Sequence, residues 1–281
     1  AYGQDTLTAS AVEKVREIFE APEASVFLLP TGTSANALIL GSLTKPWETI
    51  FCGNFAHIHV DECHAPEAFT DGAKLTPVGE GIDKFNATEL KTAISAFSPD
   101  NMQQSAHGPV SVTNVTERGT LYSLKELAEV SDVCREAGIP LHLDGARFAN
   151  AAAALGCSAA EMSWKAGVDA VSFGATKNGA MAVEAAVIFD PERAVEFRRR
   201  QQRRSQRRDR RSARYRGGDG GRHVCPLLPG FLAGGAGERR YARRGVRQHR
   251  APAPGLFRDQ PQRRDHVQAD HGYHPAADYY R

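Results

Sequence analysis

A chain of 281 residues, 41% hydrophobic and 24% charged, is long enough for one large domain or two smaller ones and for a sizeable core. No apolar stretch approaches the roughly 20 residues that a membrane helix needs, and no basic-then-apolar leader precedes Ala1. The formal net charge of +2 hides a division, because residues 1–200 carry 16 Lys+Arg against 26 Asp+Glu and residues 201–281 carry 19 against 7.

In chain order, Val12, Val15, Ile18 and Phe19 form an apolar stripe that predicts a helix over 11–21, with Ser10 and Glu13 as its capping box. Ser25 to Leu29 is a short apolar run ended by Pro30, and Thr33 to Asn36 opens a helix through Leu43. Thr49 to Cys52 and Val110 to Thr113 read as strands. A helix follows from about Ser123 to Ala137, with Ser123 and Glu126 as a second capping box, Gly138 as its close and Pro140 as a block. Leu141 to Leu143, Ala170 to Phe173 and Ala185 to Phe189 complete the set of strands. Such alternation predicts an α/β fold with a mainly parallel sheet, in which ligands sit at the carboxyl ends of the strands.

Beyond Arg200 the pattern stops. Residues 201–281 contain no Ile, Lys, Asn, Thr, Met or Trp and are crowded with Arg, Gly, Pro, Ala, Gln and His. Three readings compete for this segment: an arginine-rich extension for nucleic acid, a solvated tail, or translation out of frame. The last is favoured, since residues with GC-rich codons dominate, and the acidic first part argues against nucleic acid. The expected division is therefore 1–197 as one domain and 198–281 as an unpatterned tail. Ala1 in place of an initiating Met places the natural start upstream. Five scattered cysteines (52, 63, 134, 157 and 225) form no C-x-x-C pair, which fits a reduced, cytoplasmic setting better than a disulfide framework.

Two segments carry the strongest chemical signal. His142-Leu143-Asp144-Gly145-Ala146-Arg147 places a carboxylate and a guanidinium just past a buried strand, and Ser172 to Gly179 places Lys177 among small residues after another. A buried Asp that keeps a pyridine nitrogen protonated and a Lys that forms a Schiff base are what a protein supplies to pyridoxal phosphate (PLP). The bland alternatives are a helix cap for Asp144, a salt bridge for Arg147 and a solvated loop lysine for Lys177. Pro30 to Asn36 joins a strand to a helix start, where free N–H groups make a phosphate cradle. His57, His59, Asp61 and Cys63 would share one face of a strand and are competent metal ligands, but they lack the spaced pairs of a structural zinc site. A solvated face or a histidine stacked on a cofactor ring are the other readings of that segment, and metal is not expected.

Together these segments resemble the threonine aldolase family of fold-type-I PLP enzymes, within the wider β-eliminating lyase group. The resemblance runs from Tyr2-Gly3-Gln4-Asp5 to about Phe197 and rests on Leu29 to Asn36, Ala56-His57, His142 to Arg147 and Ser172 to Gly179. It implies a fold-type-I large domain that begins after the family's N-terminus and lacks a recognisable C-terminal small domain. It implies Lys177 as the Schiff-base lysine with Thr176 beside it, and Asp144 at the pyridine nitrogen. His57 would stack on the ring, Gly32 and Thr33 hold the phosphate, and Arg147 orient the cofactor and the substrate carboxylate. The implied reaction cleaves a β-hydroxy-α-amino acid to glycine and an aldehyde, with His57, or a water held by it, as base and His59 or Glu62 as weaker candidates. The implied assembly is a homodimer or homotetramer. Another PLP-dependent β-eliminating lyase is the alternative.

Overall fold

The computed structural model describes residues 5–81, 83–98 and 100–202. Tyr2 to Gln4, Cys225 and the whole arginine-rich segment from 203, with the three readings of it, lie outside those residues.

Seven strands are described: β1 Ser25–Leu29, β2 Glu48–Gly53, β3 Lys74–Val78, β4 Ala106–Thr113, β5 Leu141–Gly145, β6 Ala170–Gly174 and β7 Glu184–Ile188. They form one sheet in the order β1-β7-β6-β5-β4-β2-β3. The pairs from β6 through β3 are parallel, and β7 runs antiparallel to both of its neighbours. The mainly parallel sheet read from the sequence is therefore present. Its alternating side chains feed two faces. Val110, Val112, Leu141, Leu143, Val171 and Val187 join one core, whereas Ala170, Ala186 and Ile188 join a second and Ile50 and Cys52 a third.

The helices are α1 Thr6–Ile18, α2 Gly32–Leu43, α3 His57–Val60, α4 Ala65–Phe69, α5 Ala87–Ser95, α6 Leu124–Glu136 and α7 Phe148–Leu155, with further helical backbone over 191–202. Val15 of α1, Leu90 of α5, Leu127 and Val130 of α6 and Phe148 of α7 cover the first face. Leu38 and Ile39 of α2, with Ala194 and Phe197, cover the second. Because β1, β2, β4, β5 and β6 all run the same way, their carboxyl ends line one edge of the sheet. Glu184, at the start of the reversed β7, joins that edge opposite Gly174 and Leu29.

Two local expectations change. The Ser10–Glu13 pattern lies inside α1, which begins at Thr6 because the Asp5 side chain accepts the Thr8 N–H at 2.8 Å. Glu13 instead pairs with Arg16 at 2.6 Å. The helix after β5 begins at Phe148 with Arg147 as its N-cap residue, so Asp144 is not its cap. Pro77 falls in β3 at the sheet edge, where a missing N–H costs least, and the register shift between Thr49 and Phe51 falls beside Pro109 of β4.

Candidate active site

Asp144, the next-to-last residue of β5, sits between Thr113 of β4 and Ser172 of β6 and is 4% exposed. One of its oxygens accepts the Ala146 N–H at 3.0 Å and the other accepts the Asn36 amide at 2.8 Å. The first bond is the local turn expected of an acid before a helix. The second ties Asp144 to α2 across the sheet edge.

α2 starts with Thr31 as N-cap. Thr31 Oγ1 accepts the Ser34 N–H and Ser34 Oγ accepts the Thr31 N–H, a complete capping box. That leaves the N–H groups of Gly32 and Thr33 without an acceptor among the described residues. A side chain at Gly32 would meet nothing within 4 Å, so the backbone there is open to approach. Helix N-termini with free amides attract anions.

His57 follows β2 as the first residue of α3. Its backbone N–H donates to Glu117 Oε1 at 2.7 Å, and its Nδ1 lies 2.9 Å from Glu62 Oε1. The hydrogen bond to Glu62 raises the imidazole pKa above its ordinary value, burial opposes that, and Asp144 raises and Lys177 lowers it through charge. The segment opens with the short helix α3, so it is not the strand on which the four candidate ligands would share a face. Asp61 and Cys63 lie beyond that helix, and His59, Asp61 and Cys63 are all exposed. Among the described residues no cluster of three or more His, Cys, Asp or Glu is placed to hold a metal.

Lys177 lies in a single 3-10 turn, Thr176–Asn178, directly after β6, and is exposed. Its amine makes no hydrogen bond or ion pair with any described residue, whereas the Thr176 hydroxyl reaches the Val183 carbonyl at 3.3 Å. Glu184, 8% exposed, accepts the Ala175 N–H at 2.7 Å and so fastens this turn to β7. Gly174 does more than leave room for a ligand. A Cβ there would lie within 2.7 Å of the Ala146 Cα, so this glycine lets the ends of β5 and β6 meet. Arg147 is half-buried beside them.

Sequence reasoning missed two participants and gave a third a different role. Glu62 was weighed as a base, but its side chain is 0% exposed and stands behind His57. Asn36 and Glu117 were not singled out. A lone Asn among the apolar residues of a buried helix was the available signal for the first. Glu117 follows β4 in a turn and gives none. Burial, reinforced by the charge of Asp144, pushes the Glu117 carboxyl up from its usual range.

One edge therefore carries a buried carboxylate, an imidazole, a free amine and two open amides. A mostly parallel seven-stranded sheet of this kind is the fold of the fold-type-I PLP enzymes. The chain belongs to the β-eliminating lyase family, whose model matches residues 1–272 and which is a family of PLP-dependent enzymes. It is 41% identical over 197 residues to the low-specificity L-threonine aldolase of Pseudomonas aeruginosa, covering 70% of this chain and 56% of that one. The corresponding enzyme of a second Pseudomonas strain is 42% identical over 202 residues with the same coverage. The structure of Leishmania major threonine aldolase superimposes with a TM-score of 0.63 at 30% identity, over 71% of this chain and 58% of that one. The chain spans little more than half the length of the curated relatives it matches.

Proposed function

We propose that this protein is a PLP-dependent aldolase that cleaves β-hydroxy-α-amino acids, threonine-like or phenylserine-like, to glycine and an aldehyde. The observation that carries the reading is the placement of Asp144 at the end of β5, Lys177 in the turn after the neighbouring β6 and His57 at the start of α3 after β2, all at the carboxyl ends of one sheet that also carries the open N-terminus of α2. The identity to two low-specificity L-threonine aldolases supports it. PLP suits this donor set: two unused N–H groups for a phosphate, a buried carboxylate for a ring nitrogen and an unpaired amine for an aldehyde.

When bound, PLP supplies a sink for the electrons of the breaking Cα–Cβ bond. Lys177, in the turn after β6, would hold the cofactor aldehyde through its amine. Asp144 would keep a proton on the ring nitrogen, because a buried carboxylate next to it favours the charged form. His57 would stack on the ring and take the β-hydroxyl proton, directly or through a water. Gly32 and Thr33 would hold the phosphate, with Thr176 as a further cofactor contact, and Arg147 would orient the cofactor and engage the substrate carboxylate. Among the described residues no helix is long and apolar enough to cross a membrane, and four cysteines are free.

The test is product analysis with threonine and phenylserine, paired with an absorbance spectrum after PLP is added to wild type and to Lys177→Ala. Glycine plus aldehyde, with a visible cofactor band absent in the variant, is expected. Ammonia plus a keto acid would assign the chain to β-elimination instead. A folded protein with no band would remove the reading altogether.

A further inference from the structure

The reaction leaves unexplained the buried carboxyl behind His57. Glu62 cannot reach a substrate, because its side chain is wholly buried. Its Oε1 lies 2.9 Å from His57 Nδ1 and 2.8 Å from Asn36 Nδ2, and the same Asn36 nitrogen lies 2.8 Å from Asp144 Oδ2. Asn36 therefore directs both of its amide hydrogens to carboxyl groups. The other two oxygens of the network, Asn36 Oδ1 and Glu62 Oε2, are buried with no hydrogen-bond partner. Glu62 Oε1 already accepts from the Asn36 amide, so its hydrogen bond with His57 takes the imidazole Nδ1–H as the donor.

We propose that Glu62 is a positioning residue: it holds His57 with a proton on Nδ1, so that Nε2 is the nitrogen that gains and loses a proton, and Asn36 locks this pair to Asp144. The functional meaning rests on the aldolase reading. There the β-hydroxyl O–H breaks and its proton adds to the Nε2 lone pair. The electrons left on oxygen complete the aldehyde carbonyl as the Cα–Cβ bond breaks, and those of that bond stay with Cα. The imidazolium so formed faces the Glu62 carboxylate, which stabilises the charge and fixes the tautomer, as the acid does in a Ser-His-Asp triad. The groups around His57 agree in direction. Glu62 and Asp144 favour the protonated ring, while burial and the Lys177 amine oppose it, and the Glu62 hydrogen bond is the largest influence. Glu117 accepts the backbone N–H of the same residue and holds the ring's own backbone in place.

The test is nitrogen-15 NMR of the His57 imidazole in the full chain, before and after PLP is added, with the signal assigned by its loss in His57→Gln. The expected result is an Nδ1–H ring whose Nε2 titrates above the ordinary imidazole range. In Glu62→Gln the midpoint should fall by roughly one unit or more, the scale of a lost neighbouring charge. An Nε2–H tautomer in the wild type overturns the proposal, and so does a midpoint that Glu62→Gln leaves unmoved. The wild-type measurement requires no variant to fold. Because the ring is read without cofactor, a missing cofactor band or missing glycine would strike the aldolase reading alone and leave the His57–Glu62 assignment standing.

Discussion

His142 shows how one residue beneath the site governs acid tolerance. It is 0% exposed and lies two positions before Asp144, with Nδ1 2.9 Å from Ser111 Oγ and Nε2 3.0 Å from Ser172 Oγ. A neutral imidazole supplies one donor and one acceptor, and the two hydroxyls can turn to match either tautomer. Burial pushes the pKa down to about 4, against a smaller upward pull from Asp144. A folded-state value below the unfolded one means that the unfolded chain takes up the proton first as pH falls. Stability from this group is complete above the ordinary imidazole value of roughly 6.5 and is lost as pH drops through about 4. The loss amounts to about 3 kcal/mol at roughly 1.4 kcal/mol per unit. Urea denaturation between pH 7 and 4 should show this slope in wild type and a shallower one in His142→Gln, and equal slopes would remove His142 from the account. The sequence placed His142 in a buried strand but did not pair it with its serines, which come from neighbouring strands. The same holds for Asn36, Glu62 and Glu117, whose partners lie far away in the chain. Lys177 and Asp144 stood out as candidates because each sits at or just past the end of its own apolar strand.

At the scale of elements, short-range signals were readable and edges were not. Ser123 and Glu126 mark the start of α6 because both halves of that capping box are close in sequence. The similar Ser10–Glu13 spacing misled, because Asp5 offered an earlier cap for the same helix. β3 has one fully buried residue in five and a proline, since an edge strand buries little. α7 is an almost unbroken Ala-rich apolar run with no polar stripe to reveal its period. Two glycines at element ends have opposite demands, which yields a paired prediction. Gly174→Ala drives a methyl onto the Ala146 backbone, where neither strand end can give way cheaply. Overpacking of this kind costs about 1–3 kcal/mol, and the turn bearing Lys177 would shift away from Asp144. Gly32→Ala meets open space and should leave the thermal midpoint of the cofactor-free protein nearly unchanged while weakening phosphate binding. Melting curves with and without PLP separate the two, and a Gly174→Ala protein as stable as wild type would show that the strand ends have slack.

For the whole molecule, the proposed cofactor would tie together four elements that lie far apart in the chain: α2, the start of α3, the end of β5 and the turn after β6. A ligand that binds only the folded state adds stability that grows with its concentration, about 2.7 kcal/mol at one hundred times its dissociation constant. For a folded unit of this size each kcal/mol moves the midpoint by about 2–4 °C, so saturating PLP should raise it by roughly 5–10 °C. The phosphate provides an internal control. Pyridoxal carries the aldehyde and the ring nitrogen but nothing for the open amides of Gly32 and Thr33, so at equal concentration it should raise the midpoint much less. Lys177→Ala should keep part of the PLP effect, since the phosphate and ring contacts survive, while losing the covalent part. Equal shifts from pyridoxal and PLP would mean that the N-terminus of α2 takes no phosphate. No shift from either would mean that the four elements do not close on this cofactor.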